Sequence, residues 1–186
     1  PTACFAMKLP PPIDAPSGQV IAPITIGVTT PTHHPDFPDI DAGTAQTIAD
    51  DLAATGIFRS VSVDAVDTPR PDLLVSLVRW KTPSPDSWCY ESLPYTAFTG
   101  FLVPGCGHDL GYELSFSTTL NAETVQLDFE YDALYMSGFA ALPLLLSEEW
   151  QTPSTAKSRA RAAEHLRSQL APLVPKLLEL SRPERH

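Results

Sequence analysis

Positive charge is scarce in this sequence: 12 lysines and arginines stand against 22 aspartates and glutamates, for a formal net charge of -10. No lysine or arginine stripe exists along which a phosphate backbone could lie, so nucleic acid is excluded as a partner. There is no GxSxG elbow, no GxxxxGK loop and no HExxH pair, which removes the common hydrolase, nucleotide and zinc-protease chemistries. The three cysteines include no CxxC pair, so no thiol zinc site is built. The uncharged run Ala133–Leu146, ALYMSGFAALPLLL, is too short to span a membrane. As a helix it would reach about 21 Å, against roughly 30 Å of hydrocarbon.

What remains is 186 residues with 43% hydrophobic content, enough for one domain with a real core. The 20 prolines fall mainly in the N-terminal arm and the connections, so elements are short and loops stiff. Residues 1–19 read as a flexible proline-rich tether and 20–183 as a single α+β domain, with apolar inserts near 94–105 and 133–146.

Within that domain, Ile24, Ile26 and Val28 share one face at the strand period. Ala45, Ile48, Ala49 and Leu52 follow at helical spacing, with Asp41 placed to cap the helix and Gly56 to end it. Val61 and Val63 mark a short strand, and DLLVSLVRW is apolar enough to predict burial on both faces. GYELSFSTTL and TVQLDFEYD then form a hairpin. It places Tyr112, Leu114, Phe116, Thr118 and Leu120, with Val125, Leu127, Phe129 and Tyr131, toward the core. Glu113, Ser115, Ser117, Gln126, Asp128, Glu130 and Asp132 take the wet face. The chain ends in a helical stripe of Ala163, Leu166, Leu170, Leu173, Leu177 and Leu180. Pro172 and Pro175 interrupt it, predicting a kink or restart near Ala171. The expected fold is an α+β two-layer sandwich: a mixed or antiparallel sheet of about five strands with two helices on one face.

A hairpin sends its chain out at the end where it arrived, so LPYTAFTGFLVPG and ALYMSGFAALPLLL are delivered to one end of the molecule. They can cover one another as plain core. The alternative, preferred here, is an exposed apolar patch of Phe98, Phe101, Leu102, Phe139, Leu142, Leu144 and Leu145 that meets a membrane surface or a partner. Cys89 and Cys106 bracket the first segment, and a disulfide between them would close a loop for about 3 kcal/mol of chain entropy. Two reduced core thiols are the other possibility.

Several constellations have chemistry in composition only. His33, His34, Asp36, Asp39 and Asp41 are five potential ligands within nine residues, but they lie in a polar loop where Asp41 already has a capping role, and no metal site is assigned. His108 beside Asp109 suits an ordinary exposed loop. Glu113 with Asp128, Glu130 and Asp132 is the usual way to keep a sheet face wet. No catalytic residue, no cofactor and no enzymatic activity are expected.

The opening PTACFAMKLPPPIDAPSGQ resembles the start of a mature bacterial lipoprotein, where a cysteine after a small residue is acylated and a tether leads to the folded domain. Ala3 and Thr2 fit the places before such a cysteine, and Pro1 stands where an aliphatic residue is usual. The element order, with IFRSV, YTAFTGFLVPG, YELSFSTTL and VQLDFEYDALYMSGFAALPLLL, resembles a group of small bacterial envelope lipoproteins of unassigned role. More distantly it is similar to the lipoprotein that plugs the lipopolysaccharide translocon and to the N-terminal domain of TolB. The resemblance implies lipidation at Cys4, a periplasmic location anchored to the outer rather than the inner membrane, and an envelope protein partner. A binding protein for an apolar or acyl ligand, or an immunity or inhibitor lipoprotein acting through its acidic face, are the alternatives.

Overall fold

The structure is a computed structural model. It describes residues 5–8, 10–13, 22–29, 42–63, 71–80, 105–107, 110–118, 123–131, 134–137, 146–147, 150–152 and 155–182. Along the chain these form β1 (Phe5–Lys8), β2 (Ala22–Thr29), α1 (Ala42–Ala54), β3 (Phe58–Val63) and β4 (Leu73–Trp80). Then come β5 (Gly105–Gly107), β6 (Leu110–Ser117), β7 (Thr124–Tyr131), β8 (Leu134–Ser137) and β9 (Trp150–Gln151). Helix α2 (Ala156–Leu170), a 3-10 turn (Ala171–Leu173) and α3 (Val174–Leu180) close the described chain. The fold is α+β, with a mixed five-stranded sheet and helices packed on it.

Contacts group the chain into two compact units, where a single domain over 20–183 is expected from sequence. The larger comprises Ile13–Trp80, Tyr112–Phe129 and Ala163–His186. It holds the five-stranded sheet in the order β3-β2-β4-β6-β7. β2 runs parallel to β3 and β4, while β4 is antiparallel to β6. Only a short connection joins the neighbours β6 and β7, which makes them the expected hairpin, since a parallel pair needs a crossover of a dozen or more residues.

One sheet face carries the core. Ile24, Ile26, Val28, Leu73, Val75, Leu77, Tyr112, Leu114, Phe116, Leu127 and Phe129 are buried there at the strand period. Helix α1 packs on β2 and β3 through Ala45, Ile48, Ala49 and Leu52. It ends as the sequence predicts, on Gly56 with φ +66, a left-handed conformation that glycine adopts without steric cost. The Thr55 hydroxyl donates to the Leu52 carbonyl at 2.6 Å and accepts from the Ile57 N–H at 3.3 Å, so the turn that leads into β3 leaves no buried hydroxyl idle. The expected cap Asp41 lies outside the described residues.

Strand β4 departs from expectation. Its Leu73, Val75 and Leu77 are buried, but Leu74, Ser76 and Val78 are only half-buried, because α1 and α3 pack on one face of the sheet. On the other face the side chains of Pro71 and Leu74 close over Gly27 of β2. A register irregularity between Leu77 and Arg79 inserts one extra residue, which turns Arg79 toward the polar face opposite Glu113. The two form an ion pair at 2.8 Å.

The C-terminal stripe restarts at the prolines, as predicted, with a change of phase. The tighter 3-10 turn moves Leu173 to a half-buried position and gives its core place to Val174, which is buried with Leu177 and Leu180. Pro175 falls in the first turn of α3, where its missing N–H breaks no helical bond.

A side-chain clasp ties β2 to the start of β4. The Thr25 N–H and hydroxyl both donate to Asp72 Oδ2, at 2.7 and 2.8 Å, and the Asp72 N–H donates back to the Thr25 hydroxyl at 3.0 Å. The ladder proper begins one residue later, at Ile26 opposite Leu73. Asp72→Ala removes the one oxygen that accepts both bonds at an exposed site and is expected to cost about 1 kcal/mol in urea denaturation. Asp72→Asn, which keeps one carbonyl oxygen, should cost less.

The smaller unit comprises Pro1–Pro12, Lys81–Gly111 and Glu130–Ala162. Its antiparallel sheet has the order β5-β8-β1-β9. The expected tether therefore contains a strand: Phe5–Lys8 pairs with Ser137–Leu134 on one side and reaches Gln151 and Trp150 on the other. Ladder hydrogen bonds on both edges hold β1, and Pro10 after it is buried. Helix α2 starts here with Thr155 as its cap, whose hydroxyl accepts from the Ser158 N–H at 3.2 Å.

Candidate functional site

The uncharged run begins inside the small sheet. Leu134–Ser137 is β8, flanked on both sides by β1 and β5, so the start of the run is an interior strand. β5 directly follows the other apolar segment, and Gly105 pairs with Ser137 while Cys106 pairs with Met136. The chain leaving one apolar segment and the chain entering the other are thus hydrogen-bonded neighbours. At the far end of the run Leu146 is 90% exposed, whereas the core leucines among the described residues lie between 0% and 4%. The chain then turns back, with the Trp150 N–H donating to the Ser147 carbonyl at 3.2 Å, and enters β9.

Of the residues singled out from the sequence, Phe98, Phe101, Leu102, Phe139, Leu142, Leu144 and Leu145 lie outside the described residues, as do Cys4 and Cys89. Cys106 is placed by its backbone in β5. The residues His33, His34, Asp36, Asp39, Asp41, His108, Asp109 and Asp132 also lie outside. Among the described residues there is no group of three or more histidines, cysteines or carboxylates able to hold a metal. Nor do they include a helix long and apolar enough to cross a membrane. Of the carboxylates of the wet face, Glu113 pairs with Arg79, and Asp128 and Glu130 alternate along an exposed strand face.

One polar contact is not foreshadowed by the sequence. Asp51 of α1 accepts a hydrogen bond from the Tyr112 hydroxyl of β6 at 3.1 Å, and the Tyr112 ring lies 5.0 Å from that of Phe129 at a tilt of 47°. Burial, chiefly, lifts the Asp51 carboxyl above its ordinary value of 3.8; the Tyr112 bond opposes that rise and the charge of Asp50 adds to it. Tyr112 is raised far above the usual phenol range by burial, then by the adjacent Asp51 charge and the bond to it. The phenol therefore stays protonated and donates to Asp51. Asp50 and Asp51 are adjacent acidic residues in a helix, and only the fold distinguishes them: Asp50 is exposed and accepts from Gln46 at 2.7 Å, while Asp51 faces the sheet.

No known protein family matches this sequence, and no curated protein does. Among solved structures the chain is similar to a PelC dodecamer from Paraburkholderia phytofirmans, with 14% identity and a TM-score of 0.34 over 92% of this chain and 97% of that one. A point variant of the same dodecamer gives 13% identity at the same TM-score and coverage. A likeness of that strength carries no inference about assembly or role.

Proposed function

We propose that this protein is a noncatalytic cell-envelope lipoprotein, anchored through a lipid on Cys4, whose apolar end contacts a membrane surface or a protein partner in envelope assembly or maintenance. The observation that supports it most directly is Leu146: the described end of a fourteen-residue uncharged run holds a leucine that is 90% exposed. Contiguous exposed apolar patches mark contact surfaces, and Leu146 directly follows Leu144 and Leu145, which the sequence assigns to such a patch. The pairing of β5 with β8 adds to this, because it brings the chain flanking both apolar segments to one small sheet. The lipid and the periplasmic, outer-membrane location rest on the resemblance of the N-terminal sequence.

Replacing Phe139 and Leu145 together with serine tests the proposal. Unfolding free energy should stay within about 1 kcal/mol of wild type, as for surface changes. Flotation of the lipidated chain with phosphatidylcholine vesicles, or recovery of its partner from native membranes, should fall. A loss of about 2–5 kcal/mol per truncation with association unchanged would place these side chains in a core and remove the proposal.

A further inference from the structure

Strand β1 begins one residue after Cys4, and its backbone is paired on both sides. Phe5–Lys8 meets Ser137–Leu134 of β8, while Met7 and Lys8 also meet Gln151 and Trp150 of β9. A flexible chain from Phe5 to Gln19 would give an anchored domain a root-mean-square reach of about 21 Å and a limit of about 50 Å. The pairing removes that slack. Cys4 is joined to Phe5 by one peptide bond, so their Cα atoms stand about 3.8 Å apart. The register row that starts at Phe5 continues through Ser137 to Gly105. Neighbouring strands lie about 4.8 Å apart, so these three backbone positions fall within about 10 Å of one another. Because β8 is antiparallel to both neighbours, this is the end of the sheet where β1 and β5 start and β8 stops. In sequence the chain before Gly105 is uncharged back to Ser92, and the chain after Ser137 is uncharged as far as Ser147. The first charged side chain after Cys4 is Lys8, which is exposed at the other end of β1, about 10 Å away. Leu146, with 90% of its surface exposed, belongs to the same compact unit.

We propose that the smaller unit has no tether and is seated directly on the lipid surface, with the Phe5–Ser137–Gly105 row of its sheet toward the bilayer. This rests on the acylation of Cys4 proposed above, and it commits the contact surface to membrane lipid. A single acyl chain holds a protein only marginally and reversibly, so an added apolar contact matters to the residence of the domain. A junction of one peptide bond keeps that contact at high effective concentration whenever the acyl chain is inserted, whereas a long flexible linker dilutes it. Charge supplies no attraction here. With a net charge of -10 the chain gains nothing from anionic headgroups, so the seat is apolar and suits a neutral surface.

The test places the lipidated full chain in phosphatidylcholine vesicles that contain phosphatidylethanolamine and treats it with a short amine-to-amine cross-linker. Mass spectrometry of the digest then measures adducts between Lys8 and the phosphatidylethanolamine headgroup. A second chain carries a spacer of about fifteen Gly and Ser residues between Cys4 and Phe5, which restores about 21 Å of slack and alters no residue of the sheet. The wild-type chain should give Lys8 adducts, and the spacer should lower their yield more than roughly threefold. Equal yields from the two chains, or no Lys8 adduct in a chain whose intact mass includes the acyl group, overturn the direct seat and leave the lipid reading standing. A chain recovered from membranes without acyl mass removes that reading and the seat with it. Amide hydrogen exchange over Phe5–Lys8 in the wild-type lipidated chain needs no variant. Slow exchange supports the absence of a tether, and exchange at the rate of a free chain overturns it.

Discussion

Phe116→Ala is expected to destabilise the protein by about 3–5 kcal/mol, the range for removing a fully buried aromatic side chain from a core. Phe116 has no exposed surface and stands opposite Val75 in the ladder between β4 and β6. Its ring centroid lies 6.4 Å from that of Phe58, on β3 at the far side of β2 and β4. The two rings thus meet across the sheet beneath the helices, and alanine leaves a cavity between elements that ladder hydrogen bonds keep from collapsing inward. Phe116→Leu fills most of that volume and should cost markedly less. Urea denaturation measures both, and a loss below about 1 kcal/mol for alanine would show that this position is not enclosed.

Gly27→Ala is expected to cost about 1–3 kcal/mol, although alanine in a strand is ordinarily the more stable choice by about 0.5–1 kcal/mol. A Cβ at this position would stand 2.7 Å from Pro71 Cγ, 3.2 Å from Pro71 Cβ and 3.3 Å from Leu74 Cδ2. A proline ring is stiff and bound to its own backbone, so it cannot swing aside as a long side chain would. Asp72, the residue after Pro71, is held to Thr25 by the clasp described above, which fixes the ring over β2. The clash predicts coupling: Pro71→Ala should rescue much of the loss, so that the double variant is more stable than the sum of the two singles implies. A neutral or stabilising Gly27→Ala would mean that Pro71 does not roof this face.

The chemistry of the candidate site was less legible than its scaffold. That Ala133–Leu146 is unusual follows from composition, but its division into an interior strand and an exposed leucine does not. β8 depends on β1, more than a hundred residues earlier, and on β5, a Gly-Cys-Gly segment with no strand propensity of its own. The Asp51 contact was equally hidden. A neighbouring pair of aspartates has the same local sequence signal, and their different fates depend on which side of the helix meets Tyr112.

By itself the sequence determined the elements whose periodicity is long enough to bury a face. These are β2 with α1 ending at Gly56, the alternation of Tyr112, Leu114 and Phe116 against Leu127 and Phe129, and the helical stripe that restarts at Pro172 and Pro175. In each the hydrophobic effect acts on a pattern written along the chain, so local order and burial agree. Tertiary structure alone decided the small sheet that recruits Phe5–Lys8 from an apparent tether, the one-sided burial of β4, the phase shift that exchanges Leu173 for Val174, and the glycine required beneath Pro71. These depend on which distant segment arrives as a neighbour, and backbone pairing across such separations is set by hydrogen bonds and close approach that leave almost no mark on residue type.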